Sequence, residues 1–351
     1  MSLLHTPLQV GALTLPNRII MAPLTRCRAG AGRVPTDTML EYYVQRASAG
    51  LILTEATAVD PMGVGYPDTP GIWSDEQVAG WTKITRAVHA AGGRIVLQLW
   101  HVGAISDPFY LNGALPVAPS AIAPTGHVSL IRPQKAHVVP HALELNEIPR
   151  VVAAYRLGAV NALRAGFDGV EIHGANGYLV DQFLQDGTNH RTDQYGGSIE
   201  NRARFPLEVT DAAISVWGAD RVGYHLAPRG GSHGIQDRNP AATFGYLATE
   251  LGRRKIAFLC ARESLDGARH GPALKRAFGG VYIANDSFTA ASAEGVIAAG
   301  EVDAVAWGKL FIANPDLPRR FQLGAGLNTP VPATFYGGDL HGYTDYPVLA
   351  A

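Results

Sequence analysis

Short apolar runs rich in β-branched residues recur along the chain, and the stretches between them repeat their apolar positions at helical spacing. The runs predict strands near 18–23, 51–55, 94–99, 169–173, 221–226, 256–259, 280–284 and 302–307. The periodic stretches predict helices over 36–49, 76–91, 148–165 and 200–217, with weaker patterns over 240–253, 272–278, 290–299 and 314–321. Asn146, followed by Glu147 and Pro149, reads as a helix start, and Gly92-Gly93 as a helix stop. Strand–helix alternation argues for an α/β fold with a parallel sheet. A count of eight strands points to a closed (β/α)8 TIM barrel. The alternative is an open doubly wound sheet. No G-x-G-x-x-G turn follows the first strand and no break in composition divides the chain, which favours the barrel. Residues 5–16 read as a short N-terminal hairpin capping the barrel bottom. The segment 101–145 reads as a long excursion after the third strand, too rich in Pro and Gly for an ordinary connection and of the length of lids and binding loops. The expected organisation is one domain over 1–351.

Charge narrows the function classes. With 29 Lys+Arg against 30 Asp+Glu, the formal charge is -1, which leaves no electrostatic footprint for nucleic acid or an anionic membrane. At 47% hydrophobic and 17% charged residues, the chain is not disordered. Two cysteines, Cys27 and Cys260, cannot build a disulfide framework or a thiolate metal site, while 12 histidines leave metal ligation open. Residues 1–7 show neither a basic nor an apolar leader region, and no run approaches the ~20 apolar residues that span a bilayer. The expectation is a cytoplasmic protein, monomer or homodimer.

Barrels place their chemistry at the C-terminal ends of the strands. Those ends here are Thr25, Glu55, Gln98 with His101, His173, His225, Arg262 with Glu263, Asn285 and Lys309. The last two loops, Asn285-Asp286-Ser287 and Gly308-Lys309, lie where barrels often bind phosphate, and Lys309 adds a point charge. The fourth strand runs into His173-Gly174-Ala175-Asn176-Gly177-Tyr178. His173 and Asn176, three apart on a tight turn, suit an electron-rich oxygen, and Tyr178 is placed to donate a proton. The stretch 189–202 reads as a turn with Ser198 as helix cap and Arg191, Asp193, Glu200 and Arg202 as an ion-pair network. Cys27 reads as an inert buried thiol.

Several of these segments together resemble the Old Yellow Enzyme family of FMN-dependent ene-reductases. They are Pro16-Asn17-Arg18, Ala22-Pro23-Leu24-Thr25-Arg26, Glu55-Ala56-Thr57, Gln98-Leu99-Trp100-His101-Val102-Gly103, the run 173–179 and Arg191-Thr192-Asp193. To these are added the run 195–202, Ile312-Ala313-Asn314-Pro315-Asp316-Leu317 and Gly342-Tyr343-Thr344-Asp345-Tyr346-Pro347, so the likeness extends from about residue 4 to 349.

The resemblance implies an NAD(P)H-dependent oxidoreductase that reduces the activated C=C bond of α,β-unsaturated carbonyl, imide or nitro compounds. Hydride passes from N5 of FMN and the proton comes from a tyrosine; NADPH or NADH is the reductant. It implies that Thr25 bonds the flavin O4, that Pro23, Leu24 and Ala56 contact the isoalloxazine ring, and that Gln98 bonds its pyrimidine edge. His173 and Asn176 would hold the substrate oxygen, with Tyr178 as proton donor. Tyr66, Trp100 and Tyr343 would line the substrate cavity. Gly308, Lys309 and Asn285-Asp286-Ser287 would complete the cofactor site, and no residue is assigned to a metal.

Four positions depart from the family pattern. His225 stands where an arginine faces the flavin N1/O2 edge, Lys309 where an arginine holds the phosphate, Asn285-Asp286-Ser287 in place of a Gly-rich turn, and Ala104 at another common arginine. A histidine of ordinary pKa at 225 would couple flavin reduction to proton uptake between about pH 6 and 8, unless Arg229 folds back to supply the charge. Two readings from other classes stand beside this one. A redox-impaired flavin-binding barrel would be told apart by enone turnover. A metal-dependent barrel hydrolase using His101, His173 and His225 would be told apart by a metal assay.

Overall fold

The alternation of strand and helix closes into a barrel in the computed structural model, which describes residues 2–350. A hairpin of β1 (Leu8–Val10) and β2 (Leu13–Leu15) precedes the first stave, β3 (Ile19–Met21). The chain continues through α1 (Asp37–Val44), β4 (Leu51–Leu53) with its extension β5 (Thr57–Ala58), α2 (Asp75–Ala90) and β6 (Ile95–Trp100). The excursion after β6 carries two paired dipeptides, β7 (Val117–Ala118) and β8 (His141–Ala142). Then follow α3 (Ile148–Arg164), β9 (Gly169–Gly174), α4 (Leu179–Leu184), α5 (Ile199–Trp217), β10 (Val222–Leu226) and α6 (Pro240–Arg253). The last third holds β11 (Phe258–Arg262), α7 (Gly271–Phe278), β12 (Val281–Asn285), α8 (Ala290–Ala298), β13 (Ala304–Trp307), α9 (Lys309–Ala313) and α10 (Leu317–Leu323).

The eight parallel staves pair in the order β3, β4, β6, β9, β10, β11, β12, β13, and β13 pairs back onto β3. Closure leaves no unpaired strand edge. Side chains alternate across each stave, so residues two apart share a face. Ile20, Leu51, Val96, Phe258, Ile283 and Ala304 fill the lower barrel, where the hairpin plugs it with Val10, Leu13 and Leu15. The hairpin is thus the predicted cap. One step further up the same faces, apolar gives way to polar: Gln98 follows Val96, Arg262 follows Cys260 and Asn285 follows Ile283. That switch from apolar floor to polar mouth positions the site.

Local chemistry explains the helix starts. Thr36 accepts from the Met39 N–H, Ser74 and Gln77 form a capping box, and Ser198 accepts from the Asn201 N–H. Several boundaries differ from the sequence reading. The sixth stave is Phe258–Arg262, shifted beyond 256–259, because its upper end is charged and hides in the hydrophobic pattern. The predicted helix 314–321 begins only at Leu317, as α10, since Asn314 precedes Pro315 and the residue before a proline disfavours the helical region; the short α9 lies before the predicted span. α3 starts after Glu147, not Asn146; the Glu147 carboxylate accepts from the Glu144 N–H and pairs with His141. α4 escaped the pattern because it is only six residues long. Among the described residues no helix is long and apolar enough to cross a membrane.

Candidate active site

The upper ends of the staves open into a cleft of about 700 Å³, within the range of small-molecule and cofactor sites. Pro23, Leu24, Thr25, Ala56, Gln98, His173, Asn176, Tyr178, His225, Asn285, Asp286, Ser287, Gly308 and Lys309 all line it, as does Tyr66. So do Arg262 from β11 and residues for which the pattern offered no role: Ser232 and His233 from the loop after β10, and Phe335 and Tyr336 from the C-terminal segment. Arg262 was foreseeable as a strand end, but its partners were not.

Two of the three residues assigned to the substrate wall are corrected. Tyr343 is fully buried away from the cleft, its ring stacked on Tyr42 at 4.2 Å and flanked by the Arg26 and Arg28 guanidinium groups at 4.9 and 4.3 Å. Arg26 donates to the carbonyls of Phe335 and Gly342, so Tyr343 anchors the C-terminal segment and Tyr336 provides the wall instead. Trp100 sits behind the wall, 1% exposed, its ring edge-on to Tyr178 at 5.1 Å and tilted against Tyr66 at 5.4 Å. Its indole N–H is buried there without a hydrogen-bond partner.

The tight turn that carries Asn176 and Tyr178 needs unusual backbone. Asn176 has φ +58° and Gly177 +82°, the left-handed region that Asn and Gly tolerate. Arg262 Nη1 donates to Asn176 Oδ1 at 3.1 Å, which leaves the Asn176 NH₂ as the group free to donate. Tyr178 closes the turn as the residue before α4, and its hydroxyl lies 2.7 Å from that of Tyr66. Burial pushes the Tyr178 hydroxyl well above the usual phenol range, with the neighbouring Tyr66 adding to the shift. His173 goes the other way: burial, then the charge of His225, hold its imidazole well below the usual range. Its Nδ1 is buried without a hydrogen-bond partner.

His225 is the opposite case. Burial works against its charge, but the Cys260 sulfur and the Glu171 carboxylate, 3.3 Å away, outweigh that and raise it to about 10. The sequence expectation took an imidazole of ordinary pKa, whereas here the Cys260 sulfur and the Glu171 carboxylate both favour the charged ring. Two imidazoles 6.0 Å apart are thus shifted in opposite directions, His173 toward the neutral form and His225 toward the charged one. Arg229 does not fold back; its Nη1 donates to the Asp266 carbonyl at 2.6 Å, outside the cleft.

At the other end, Asp286 and Ser287 hold φ values of +93° and +63°, so the main chain keeps a glycine-like path without glycine. The Asp286 carboxylate is paired with Arg262 at 3.2 Å. With Lys309 exposed beside it, this end carries a net positive charge and suits a phosphate. A Cβ added at Gly308 would meet Leu24 at 3.0 Å, so the chain passes closely over the cleft wall. An apolar face (Pro23, Leu24, Ala56), a polar edge (Thr25, Gln98, His225) and a cationic end together fit a planar heteroaromatic ring with a phosphate tail, as in FMN.

Other strand-end residues turn to structural work. Glu55 accepts from the Arg26 N–H and from Tyr43, and the Glu263 carboxylate accepts from the N–H groups of His270 and Gly271. His101 lines a separate pocket with Asp60 and His141, and burial lowers it to about 4. The three histidines of the metal reading are therefore not brought together. Among the described residues only Glu171, His225 and Cys260 bring such donor atoms within 4.8 Å, and the first two are already bonded to each other. The network foreseen over 191–202 divides: Arg191 pairs with Asp193 at 2.6 Å, Arg202 with Asp237 at 3.3 Å, and Glu200 is exposed. Cys27 is a buried thiol, pushed up to about 12 by burial.

Asp181 supports the turn that carries Asn176 and Tyr178. Its oxygens accept from the Gly177 N–H at 2.9 Å and from Gln185 Nε2 at 2.7 Å, and burial raises it from 3.8 to about 7. A raised carboxyl stabilises the fold below pH 3.8 and loses that contribution as pH rises through about 7. An asparagine can accept from Gly177 and donate to a flipped Gln185 amide. Asp181→Asn is therefore expected to melt above the parent at pH 8, the gap closing below pH 4. Equal melting points at pH 8 in calorimetry would show that the buried carboxyl carries no such cost.

The model of the NADH:flavin oxidoreductase / NADH oxidase family matches residues 3–328. The chain is 42% identical to 12-oxophytodienoate reductase 1 of Oryza sativa subsp. japonica, covering 99% of this chain and 93% of that one. Its fold matches morphinone reductase solved in complex with tetrahydroNAD, with a TM-score of 0.96 and 51% identity over 99% of this chain and 98% of that one. An Old Yellow Enzyme homologue from Zymomonas mobilis matches with a TM-score of 0.96 and 46% identity over 99% of both chains.

Proposed function

The chain belongs to the NADH:flavin oxidoreductase / NADH oxidase family, an NAD(P)H-dependent flavin oxidoreductase of the ene-reductase type, and from that premise we propose that it binds FMN and reduces electron-poor alkenes. The substrates would be α,β-unsaturated carbonyl, imide and nitro compounds, with NADPH or NADH as reductant and 1–351 acting as one FMN-binding domain. One observation supports this most. A neutral His173 and the Asn176 amide face one cleft with a Tyr178 hydroxyl that keeps its proton.

When bound, FMN supplies the hydride, taken first from NAD(P)H. The protein does the rest. His173 Nε2–H and the Asn176 NH₂ donate to the substrate's carbonyl or nitro oxygen. Their pull strengthens as negative charge grows on that oxygen. Tyr178 delivers a proton to the α-carbon, and Tyr66 hydrogen-bonds the phenolic oxygen it leaves behind. Thr25, Gln98 and His225 would hold the polar edge of the cofactor, and Lys309 with Arg262 its phosphate. Tyr66 and Tyr336 form apolar walls that admit substrates of varied shape.

The purified protein should be yellow, and acid should release FMN, not FAD. NADPH should bleach it anaerobically, and an N-substituted maleimide or cyclohexenone should restore the colour. A colourless protein that gains no activity on adding FMN would overturn the reading. A yellow protein that neither bleaches nor recovers would be a binder without redox function.

A further inference from the structure

One carboxylate serves two residues of the cleft floor. Glu171 lies mid-strand in β9 with its side chain fully buried. Its Oε2 accepts from Gln98 Nε2 at 2.8 Å, and its Oε1 lies 3.3 Å from His225 Nδ1. Register explains the meeting. Glu171 is paired with Gln98 across β6 and with Gly223 across β10, which sets His225 one inward step above it. Both partners line the cleft; Glu171 does not.

A buried carboxylate is costly unless donors satisfy its oxygens and an opposite charge stands beside it. Gln98 provides a donor. The groups that face His225 decide the rest. From β9 come Glu171 and His173, the latter 6.0 Å away and held neutral; from β11 comes Cys260, directly opposite across the ladder. Burial raises the Cys260 thiol while the His225 charge works against that, and the sulfur and the Glu171 carboxylate both favour a charged His225. The remaining side opens to the cleft. Glu171 is the one carboxylate in that set, at hydrogen-bond distance from the His225 ring.

We propose that Glu171 is a positioning residue for the cofactor: its carboxylate holds His225 as an imidazolium and turns the Gln98 amide so that Oε1 faces the cleft. The pair Glu171–His225 then does in two residues what the family's arginine does in one. A guanidinium is charged without help; an imidazole at this depth needs a fixed anion behind it. The inference rests on the flavin reading only for what the charge faces, since the link between Glu171 and His225 is a property of the unloaded protein too.

The test is a pH titration of ¹⁵N-histidine signals with and without FMN, together with affinities for oxidised and reduced FMN. In the parent protein His225 should keep its imidazolium signature from pH 6 to 8. In Glu171→Gln it should lose the proton within that window. The preference for reduced over oxidised FMN should then fall about tenfold for each pH unit above the new midpoint. Adding His225→Arg to Glu171→Gln should restore it. An imidazole that deprotonates between pH 6 and 8 in the parent would overturn the proposal, as would one that stays protonated in Glu171→Gln. If Glu171→Gln does not fold, the parent titration decides alone. If FMN does not bind, the flavin reading fails while the titration of the unloaded protein still tests the Glu171–His225 link.

Discussion

Replacing Tyr178 with phenylalanine is expected to slow the reduction of cyclohexenone by about 10²- to 10⁴-fold, the span of a general acid's contribution. Reduction of the cofactor by NADPH should stay close to the parent rate, because no proton reaches the alkene in that half-reaction. The geometry assigns the loss to one hydroxyl. It lies at the cleft 2.7 Å from Tyr66, and burial keeps its proton in place well above the ordinary phenol range. Such a group gives up a proton only as carbanion character builds at the α-carbon. The raised pKa also sets a sign for pH: the protonated form is the active one, so this group imposes no fall in rate as pH rises through 8 and 9. Rapid mixing can follow the two half-reactions separately. Parent-like reoxidation by cyclohexenone in Tyr178→Phe would remove Tyr178 from the reaction.

The second large effect belongs to His173. Removing one donor from a site where negative oxygen develops costs about 10²- to 10³-fold, and His173→Ala is expected to lose that much in kcat/KM for enones. On the proposed reading the imidazole works as a neutral donor. Its depth in the barrel mouth and the nearby His225 charge hold it below the usual range, and its buried Nδ1 has no partner that would favour a second proton. Activity should therefore show no acidic limb between pH 6 and 7 from this residue. His173→Asn, which keeps an N–H donor, should recover part of the loss. A parent enzyme whose rate falls below pH 7, with the fall absent in His173→Asn, would mean that the ring titrates in the working range.

Much of the fold was legible because its signals are local. Eight β-branched runs alternate with eight periodic stretches, and Ser, Thr and Gly mark their ends; all eight staves lie within a few residues of where the pattern puts them. The misses have local causes too. Arg262 belongs to β11, but a charged residue at the top of a stave looks like loop in a hydrophobic pattern. α4 is a six-residue helix held by Asp181 and the turn before it, too short for a period to show. Tyr343 sits in a matching motif, yet the stack with Tyr42 and the arginine beside it buries the ring on the far side of the wall.

By itself the sequence determined the barrel, the end of it that carries chemistry, and most of the residues that line the cleft, because spacing by two along a strand decides which side chains share a face. It also contained Glu171, two residues before His173 and so on the same face, but as a lone acid within an apolar run its purpose was unreadable. Only the tertiary structure decided that Glu171 meets both Gln98 and His225, that Arg262 bridges Asn176 and Asp286, and that the environments of His173 and His225 shift the two rings in opposite directions. Those facts depend on the register of strands far apart in the chain. Closing eight staves brings 98, 171 and 225 to one level, and depth of burial with the nearest opposite charge then sets which groups hold a proton.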